Sequence, residues 1–443
     1  MPLSIRACGA SMGDGLSTAA GVPAPPASAT APGRSVSPLK LAFRRLLRVW
    51  SVRAALAVLG VTVLCAIYAP FLCNDLALVW HDQHGLSVPV ILGLLNHRYA
   101  VHWYDLMFNL LALELPVLAL LGWALRHRLR PGRRWTLLIA IFLGSMVACC
   151  IPVFPGADGH LALWRDRIDG SQHLEDYQDL DAQQRAAQQV WAVFPPIPHR
   201  YDQIYDEMAL KPPGSWDALS QSHFWLGTDT VGKDVLAVLV YGARISLTIG
   251  LVASGISLLI GTIYGAISGY AGGRTDLLMQ RFLEIVMCLP TFLLIIMVVA
   301  VLGRDIFIIM AVIGLTGWAG TARLVRGEFL AQSVRDYVLA GESLGLSRLR
   351  LMFRHILPNA LTPLFITATF AIAGAILSES GLSFLGLGDP NVPTWGGLLD
   401  QGREAIDYGW LIYAPGLAIF ALVTALNVLG SEMREALDPK GTT

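Results

Sequence analysis

Runs of about 20 predominantly apolar residues recur along this chain, the length a helix needs to cross roughly 30 Å of hydrocarbon. They lie at 54–73, 105–125, 135–154, 246–270, 283–303, 306–322, 361–380 and 410–430. In lipid every backbone N–H and C=O must be satisfied within the span, which such segments achieve as helices. The expectation is an all-α fold, a polytopic membrane helical bundle of eight spans. Composition agrees: 54% of the 443 residues are hydrophobic and only 14% charged, where soluble proteins carry about a quarter. Lys+Arg and Asp+Glu each number 32, so the net charge is zero. That balance argues against a nucleic-acid binder or an acidic disordered chain. The six cysteines show no zinc-site or redox spacing and read as small buried hydrophobes.

The distribution of charge gives the orientation. Loop 126–134 holds Arg126, Arg128, Arg130, Arg133 and Arg134 with no acid. Loop 323–360 carries Arg323, Arg326, Arg335, Arg348, Arg350 and Arg354. The stretch 155–243 is acidic, with 13 acids against 6 bases. The positive-inside rule puts both basic loops in the cytoplasm and the acidic stretch outside. Eight spans with both termini cytoplasmic satisfy all three. The first run starts too late and is too long for a signal peptide, so it reads as an uncleaved helix. Residues 1–39, rich in Ala, Pro, Ser and Gly from 7 onward, read as a disordered cytoplasmic tail.

Within the bundle, Gly261, Gly265 and Gly269 recur every four residues, with Gly250 and Gly255 before them. Small residues at that spacing predict close approach of another helix. Pro290 and Pro415 are expected to kink their spans. Arg281 and Glu284, a turn apart, read as an interfacial ion pair. Glu379 either lines a water-filled path or sits at the membrane surface. Gly227 to Lys233 imitates a phosphate loop, but Asp234 stands where Ser or Thr would hold Mg²⁺ and no buried strand precedes it. Nucleotide binding is rejected there.

The segment 336–359 carries the most information. Asp336 is expected to N-cap a short helix over 337–344, closed by Gly345 in a left-handed conformation. Ser347 caps a second helix ended by Pro358. Its residues Leu349, Met352, Phe353 and Ile356 fall on one face, with Arg348, Arg350 and Arg354 largely elsewhere. The apolar face and basic rim fit a groove in a soluble partner or the membrane surface.

Here the chain resembles a known family. Leu339-Ala340-Gly341, then Gly345, then Leu357-Pro358 is similar to the EAA loop of binding-protein-dependent ABC transporter permeases. It departs at Leu339, Gly341 and His355, while Arg354 to Asn359 matches the RHILPN run of the peptide branch. Gly227, Thr228, Asp229, Gly232, Asp234 and Arg244 match the LGTDxxGRD…YGARxS signature of C-type permeases for dipeptides, oligopeptides and nickel. Ser383 to Gly388, Trp395-Gly396 and Asp438-Pro439 also fit. The likeness covers roughly 222–440, with a weaker match at 40–73. Segment 74–154 differs, inserting two spans around an arginine-rich loop, so a six-helix core would carry about two extra N-terminal spans.

The resemblance implies a non-enzymatic permease subunit of an ATP-driven importer, with peptides as cargo. It implies a heterodimer with a second permease, two cytoplasmic ABC ATPases and an extracytoplasmic substrate-binding protein, in the bacterial inner membrane. ATP and Mg²⁺ would be bound by the ATPases, leaving this chain without a cofactor, catalytic residue or metal ligand. Leu339, Ala340, Gly341, Gly345, Leu349, Phe353, Ile356, Leu357 and Pro358 would form the ATPase-coupling element, and the Gly227–Arg244 set a structural turn. The organisation expected is the tail, a first helix over 40–73, the insertion over 74–154, an extracytoplasmic segment over 155–243, the permease domain over 244–435 and a tail over 436–443. A nickel importer of the same family is the nearest alternative, although His160, His173, His199 and His223 are scattered. A secondary transporter would need no docking loop, and the H-E-x-x-H motif of membrane enzymes is lacking.

Overall fold

The computed structural model describes residues 46–82, 85–95, 102–150, 152–155, 161–163, 191–217 and 222–437. The terminal tails, Asp438-Pro439, His160 and His173 lie outside the described residues. The long helices are α1 (Trp50–Ile67), α2 (Trp103–Ala124), α3 (Pro131–Cys150), α4 (Val235–Ala271), α5 (Gly273–Cys288), α6 (Thr291–Leu302) and α7 (Ile306–Ser333). A short α8 (Asp336–Ser343) precedes α9 (Leu357–Phe384), α10 (Trp395–Glu404) and α11 (Trp410–Leu437). Among the described residues seven helices are long and apolar enough to cross a membrane, or eight if one bent pair is a single span. The all-α membrane bundle is therefore the observed architecture.

That bent pair is α5 and α6, which meet at 75°. Pro290 has no N–H to continue the helix and forces Leu289 into extended backbone, φ −79° and ψ 130°. The expected kink is thus a break, and the expected 283–303 run divides into two helices. Pro415, by contrast, lies inside an uninterrupted α11. Arg281 and Glu284 form their exposed ion pair at 2.8 Å, within α5.

α4 begins eleven residues before the apolar run that marks it. Asp234 caps it, its Oδ1 accepting from the backbone N–H of Leu236 at 2.8 Å and Ala237 at 3.4 Å. At 37 residues α4 is about 55 Å long, well beyond the roughly 30 Å hydrocarbon layer. Its glycines meet α7. A Cβ on Gly261 would lie 2.8 Å from the Trp318 carbonyl, on Gly265 2.5 Å from that of Ala322, and on Gly269 2.7 Å from that of Arg326. Gly255 faces open space, so it takes no part. The predicted close approach is present, and α7 is the helix that makes it.

Two apolar clusters fill the bundle. Ile249 and Ala253 of α4 pack with Val299 of α6, Ile309 and Met310 of α7 and Leu382 of α9. Phe108 and Ala112 of α2 pack with Ala66 and Ile67 of α1, Leu247 of α4 and Leu422 of α11. The inserted α2 is therefore part of the core.

Small strands form three separate antiparallel sheets. β1 (Val79–Asp82) pairs antiparallel with β2 (Gly85–Ser87) and β5 (Trp191–Val193). β3 (Pro152–Pro155) pairs with β4 (Leu161–Leu163), and β6 (Ser215–Asp217) with β7 (Ser222–Phe224). Ile197 continues the tie to the first helix, donating to Leu72 O at 3.0 Å and accepting from Asn74 N at 3.1 Å.

Candidate functional site

Two motif clusters occupy opposite ends of α4. At its N-terminal end, loop 227–233 is a closed turn. Asp229 Oδ1 accepts from the N–H groups of Val231 at 3.0 Å and Lys233 at 2.8 Å. Gly227 N–H goes to Phe224 O, Thr228 N–H to Lys211 O, Asp229 N–H to Lys233 O, and Gly232 N–H to Asp229 O. Thr230 N–H goes to the Gln401 side chain at 3.2 Å. Every backbone donor that a phosphate would need is used internally, which agrees with rejection of a nucleotide site. Gly227 and Gly232 take φ of 77° and 88°, and a Cβ on Gly232 would strike the Tyr205 backbone.

Long-range partners fasten this turn. Thr228 donates to Met208 O and accepts from Lys211 N. Its own carbonyl accepts from Trp410 Nε1 at 3.0 Å. Asp229 Oδ2 accepts from Gln401 Nε2 at 3.2 Å. Asp234 Oδ2 lies 2.7 Å from His199 Nδ1, and His199 Nε2 lies 2.6 Å from Ser222 Oγ. The order Ser–His–Asp is that of a hydrolase, but His199 and Asp234 are fully buried and Ser222 is nearly so. The imidazole is stacked on Phe224 with centroids 4.3 Å apart, and Tyr205 meets it edge-on. With no room for a substrate, the arrangement works as a latch between α4 and β7. Burial pushes the Tyr205 phenol well above its ordinary range.

Arg244, nearly three turns along α4 from Asp234, is buried beneath the end of α1. Its Nε donates to Ala66 O at 2.6 Å and its Nη2 to Ile67 O at 3.3 Å. These are final carbonyls of α1, which lack helical partners. Asp105 of α2 lies 3.6 Å from Nη1, and the rings of Phe108 and Tyr241 flank the guanidinium. A single motif arginine thus joins α1, α2 and α4.

At the other end, α8 starts at Asp336, with Arg335 in the N-cap position rather than the expected Asp336. It closes as foreseen. Gly345 has φ 74°, Leu346 N–H bonds Gly341 O at 3.1 Å, and Gly345 N–H bonds Glu342 O at 2.9 Å. This is a Schellman cap. Gly341 is buried because a Cβ would lie 2.7 Å from Leu351 Cδ2.

The second helix departs from expectation in two ways. Pro358 does not end it: helix continues from Arg348 through a π-helical turn, Leu351–Ile356, directly into α9. Pro358 sits in the first turn of α9, where a missing N–H is tolerated because the preceding π turn has already shifted the hydrogen-bond register. The expected apolar face also divides. Met352 and Ile356 turn inward, packing with Val338, Val325, Phe329, Ala266 and Ala360. Leu349 is 68% exposed and Phe353 45%. The wider π turn explains this, since 100° per residue no longer describes the side-chain directions. Leu339, Ala340, Gly345 and Pro358 are exposed, and Leu357 is half-buried.

The resulting surface has Leu339, Leu344, Leu349 and Phe353 exposed above a buried anchor. Tyr270 of α4 donates to Glu342 at 3.1 Å, and Asn359 bonds the His355 carbonyl at 2.8 Å. Arg326 holds Asp276 through two hydrogen bonds of 2.6 Å, bracing α7 against α5. Sequence reading missed Leu344, Val338 and Leu351. The first lies just before the capping glycine, where exposure of the C-cap residue was a usable signal. It also missed His199, Ser222, Gln401 and Trp410, whose partners are distant in sequence.

Glu379 does not line an open path. It is 1% exposed in α9 and accepts from Ser383 at 2.7 Å. His223 is not with His199 but bonds the Gly214 carbonyl.

A polytopic helical bundle, with a sealed turn at one end of α4 and an anchored loop bearing an exposed apolar rim at the other, has the architecture of a membrane-spanning transport subunit. Residues 261–442 match the family described as Binding-protein-dependent transport system inner membrane component. The Oligopeptide transport system permease protein OppC of Bacillus subtilis (strain 168) is 40% identical over 253 residues, 56% of this chain and 81% of the relative. The Di/tripeptide transport system permease protein DppC of Pseudomonas aeruginosa (strain UCBPP-PA14) is 39% identical over 253 residues, 56% of this chain and 83% of the relative. The Peptidoglycan transport system permease protein YejE of Agrobacterium fabrum (strain C58 / ATCC 33970) is 31% identical over 339 residues, 70% of this chain and 89% of the relative. A match that broad necessarily reaches into the 74–222 segment. The chain belongs to the family of binding-protein-dependent ABC transporter permeases and is a multi-pass inner-membrane subunit.

Proposed function

We propose that the chain forms one half of the translocation pathway of an ATP-driven peptide importer, paired with a second permease. Two ATPase subunits drive the complex from the cytoplasm, with residues 337–357 as this chain's docking element for them, and a substrate-binding protein delivers cargo to the outer face. Both termini face the cytoplasm. The chain performs no chemistry of its own and carries no cofactor; ATP and Mg²⁺ belong to the ATPases. The observation that carries this reading is the rim of Leu339, Leu344, Leu349 and Phe353, apolar and exposed, on a loop whose inner face is locked to α4, α7 and α9. A partner that pushes on such a rim moves three core helices together. Peptide cargo is supported by the names of the relatives, two of which transport oligopeptides or di- and tripeptides.

The outer turn serves this function by holding α4 rigid, so that motion of the inner loop reaches the outer gate without being absorbed. The test is reconstitution of the assembled importer in liposomes, with uptake of di-, tri- and longer peptides and of Ni²⁺ measured beside ATP hydrolysis. Peptide uptake dependent on ATP and on the binding protein is expected. Uptake of Ni²⁺ alone, or uptake without the ATPases, would overturn the reading.

A further inference from the structure

The inserted pair α2 and α3 is clasped at one end, where Leu106 and Leu110 meet Cys149, Phe142 and Met146. Toward the connecting turn an apolar groove of about 620 Å³ opens between them. Leu111, Leu115 and Leu118 form one wall, and Leu138, Phe142 and Leu143 the other. From Leu111 to Arg126 the groove follows roughly 22 Å of helix, more than the ~15 Å of one hydrocarbon leaflet.

Its end at the turn has a different chemistry. Trp123, Arg126, Arg134 and Trp135 close it. The Arg126 guanidinium lies 5.0 Å from the Trp123 ring centre, and that of Arg134 5.8 Å from Trp135. Arg134 Nη1 reaches the Gly122 carbonyl only at 3.4 Å, while its Nε is buried with no hydrogen-bond acceptor. Among the described residues no carboxylate forms an ion pair with Arg126, Arg128, Arg130, Arg133 or Arg134. Tryptophan beside arginine is the pattern of the membrane interface.

We propose that this groove binds an anionic phospholipid, its acyl chains along the leucine walls and its phosphate between Arg126 and Arg134. An apolar helix of another subunit would fill the walls but leave both guanidinium groups without a counter-charge. A lipid phosphate with attached chains answers both ends at once, and basic pockets between spans on the cytoplasmic side suit such headgroups. The inserted helices then hold a lipid against the core through α2.

Native mass spectrometry of the full chain in mild detergent tests this, with phosphatidylglycerol and phosphatidylethanolamine of identical acyl chains as probes. Wild type should retain phosphatidylglycerol about tenfold more strongly. Arg126→Gln with Arg134→Gln should abolish that preference, and Ala119→Trp, which fills the groove, should lower retention of both lipids. A wild-type thermal shift with each lipid gives a readout free of variants, and phosphatidylglycerol should raise the midpoint more. Equal retention of both lipids by wild type, or unchanged preference in the arginine variant, would overturn the proposal. So would a disulfide formed, on addition of an oxidant such as copper phenanthroline, between Leu118→Cys and a cysteine introduced into a helix of the partner permease in the assembled importer.

Discussion

At the residue scale, Arg244 illustrates how a single buried charge can organise several helices. Its donors go to the last carbonyls of α1 and its charge faces Asp105, so nothing on the guanidinium is spent on water. Removing one partner of a buried pair typically costs about 3–5 kcal/mol. Arg244→Met should therefore lower the thermal midpoint sharply in detergent, whereas Asp105→Asn, which keeps the shape and removes one contact, should cost less. His102 makes a second residue-scale prediction. It N-caps α2 in a capping box with Asp105, whose hydrogen bond raises the His102 pKa above its ordinary value, against partial burial. A raised value means that the folded state favours the protonated ring. The stabilisation is complete below about pH 6.5 and is lost as pH rises through the raised folded value. The thermal midpoint should carry a component that declines above about pH 6.5, and His102→Gln should remove that component.

At the element scale, the inner loop separates anchoring from presentation. Met352 and Ile356 are buried while Leu349 and Phe353 are exposed, only a few residues apart. Leu349→Asp or Phe353→Asp should abolish co-purification of the ATPases and leave the thermal midpoint of the isolated chain unchanged. Ile356→Asp should destabilise the chain itself by several kcal/mol, because an unpaired charge would be buried. Gly345→Val tests the cap. No atom lies within 4 Å of a Cβ there, so the effect is backbone strain at φ 74°, about 1–3 kcal/mol. Peptide uptake should fall while ATP hydrolysis by the assembled complex continues; unimpaired uptake would sink the coupling assignment. The α4–α7 contact is the other element-level device. Gly265→Val would force the Ala322 carbonyl aside and should lower stability even though the substitution is apolar.

At the scale of the whole molecule, α4 is the axis. One end carries the sealed 227–233 turn and the other meets the 336–357 loop, about 55 Å away. Orientation follows from side-specific labelling. In a background without the native cysteines, Val231→Cys should react with a membrane-impermeant maleimide from outside intact cells. Leu349→Cys should react only in inverted vesicles. Val231 is 44% exposed and Leu349 68%, so in cells expressing this chain without the ATPases and the binding protein, failure to label either would reflect the side and not burial.

Seven of the eight apolar spans, the left-handed Gly345 and the approach of Gly261, Gly265 and Gly269 to another helix were legible in the chain, because hydrocarbon thickness, chirality and helical period act locally. Charge sorted by loop was enough to propose an orientation. Three features were not legible. The break at Pro290 required knowing that the following helix turns by 75° and does not merely bend. The split of Leu349 and Phe353 from Met352 and Ile356 depended on a π turn, which changes the angle between successive side chains. The partners of Asp229, Asp234 and Arg244 come from residues as distant as Gln401 and Ala66. Sequence alone thus determined a bundle of helices and the residues that close its turns. The tertiary structure decided which of those residues face outward to a partner, since that depends on which side each helix finds already occupied.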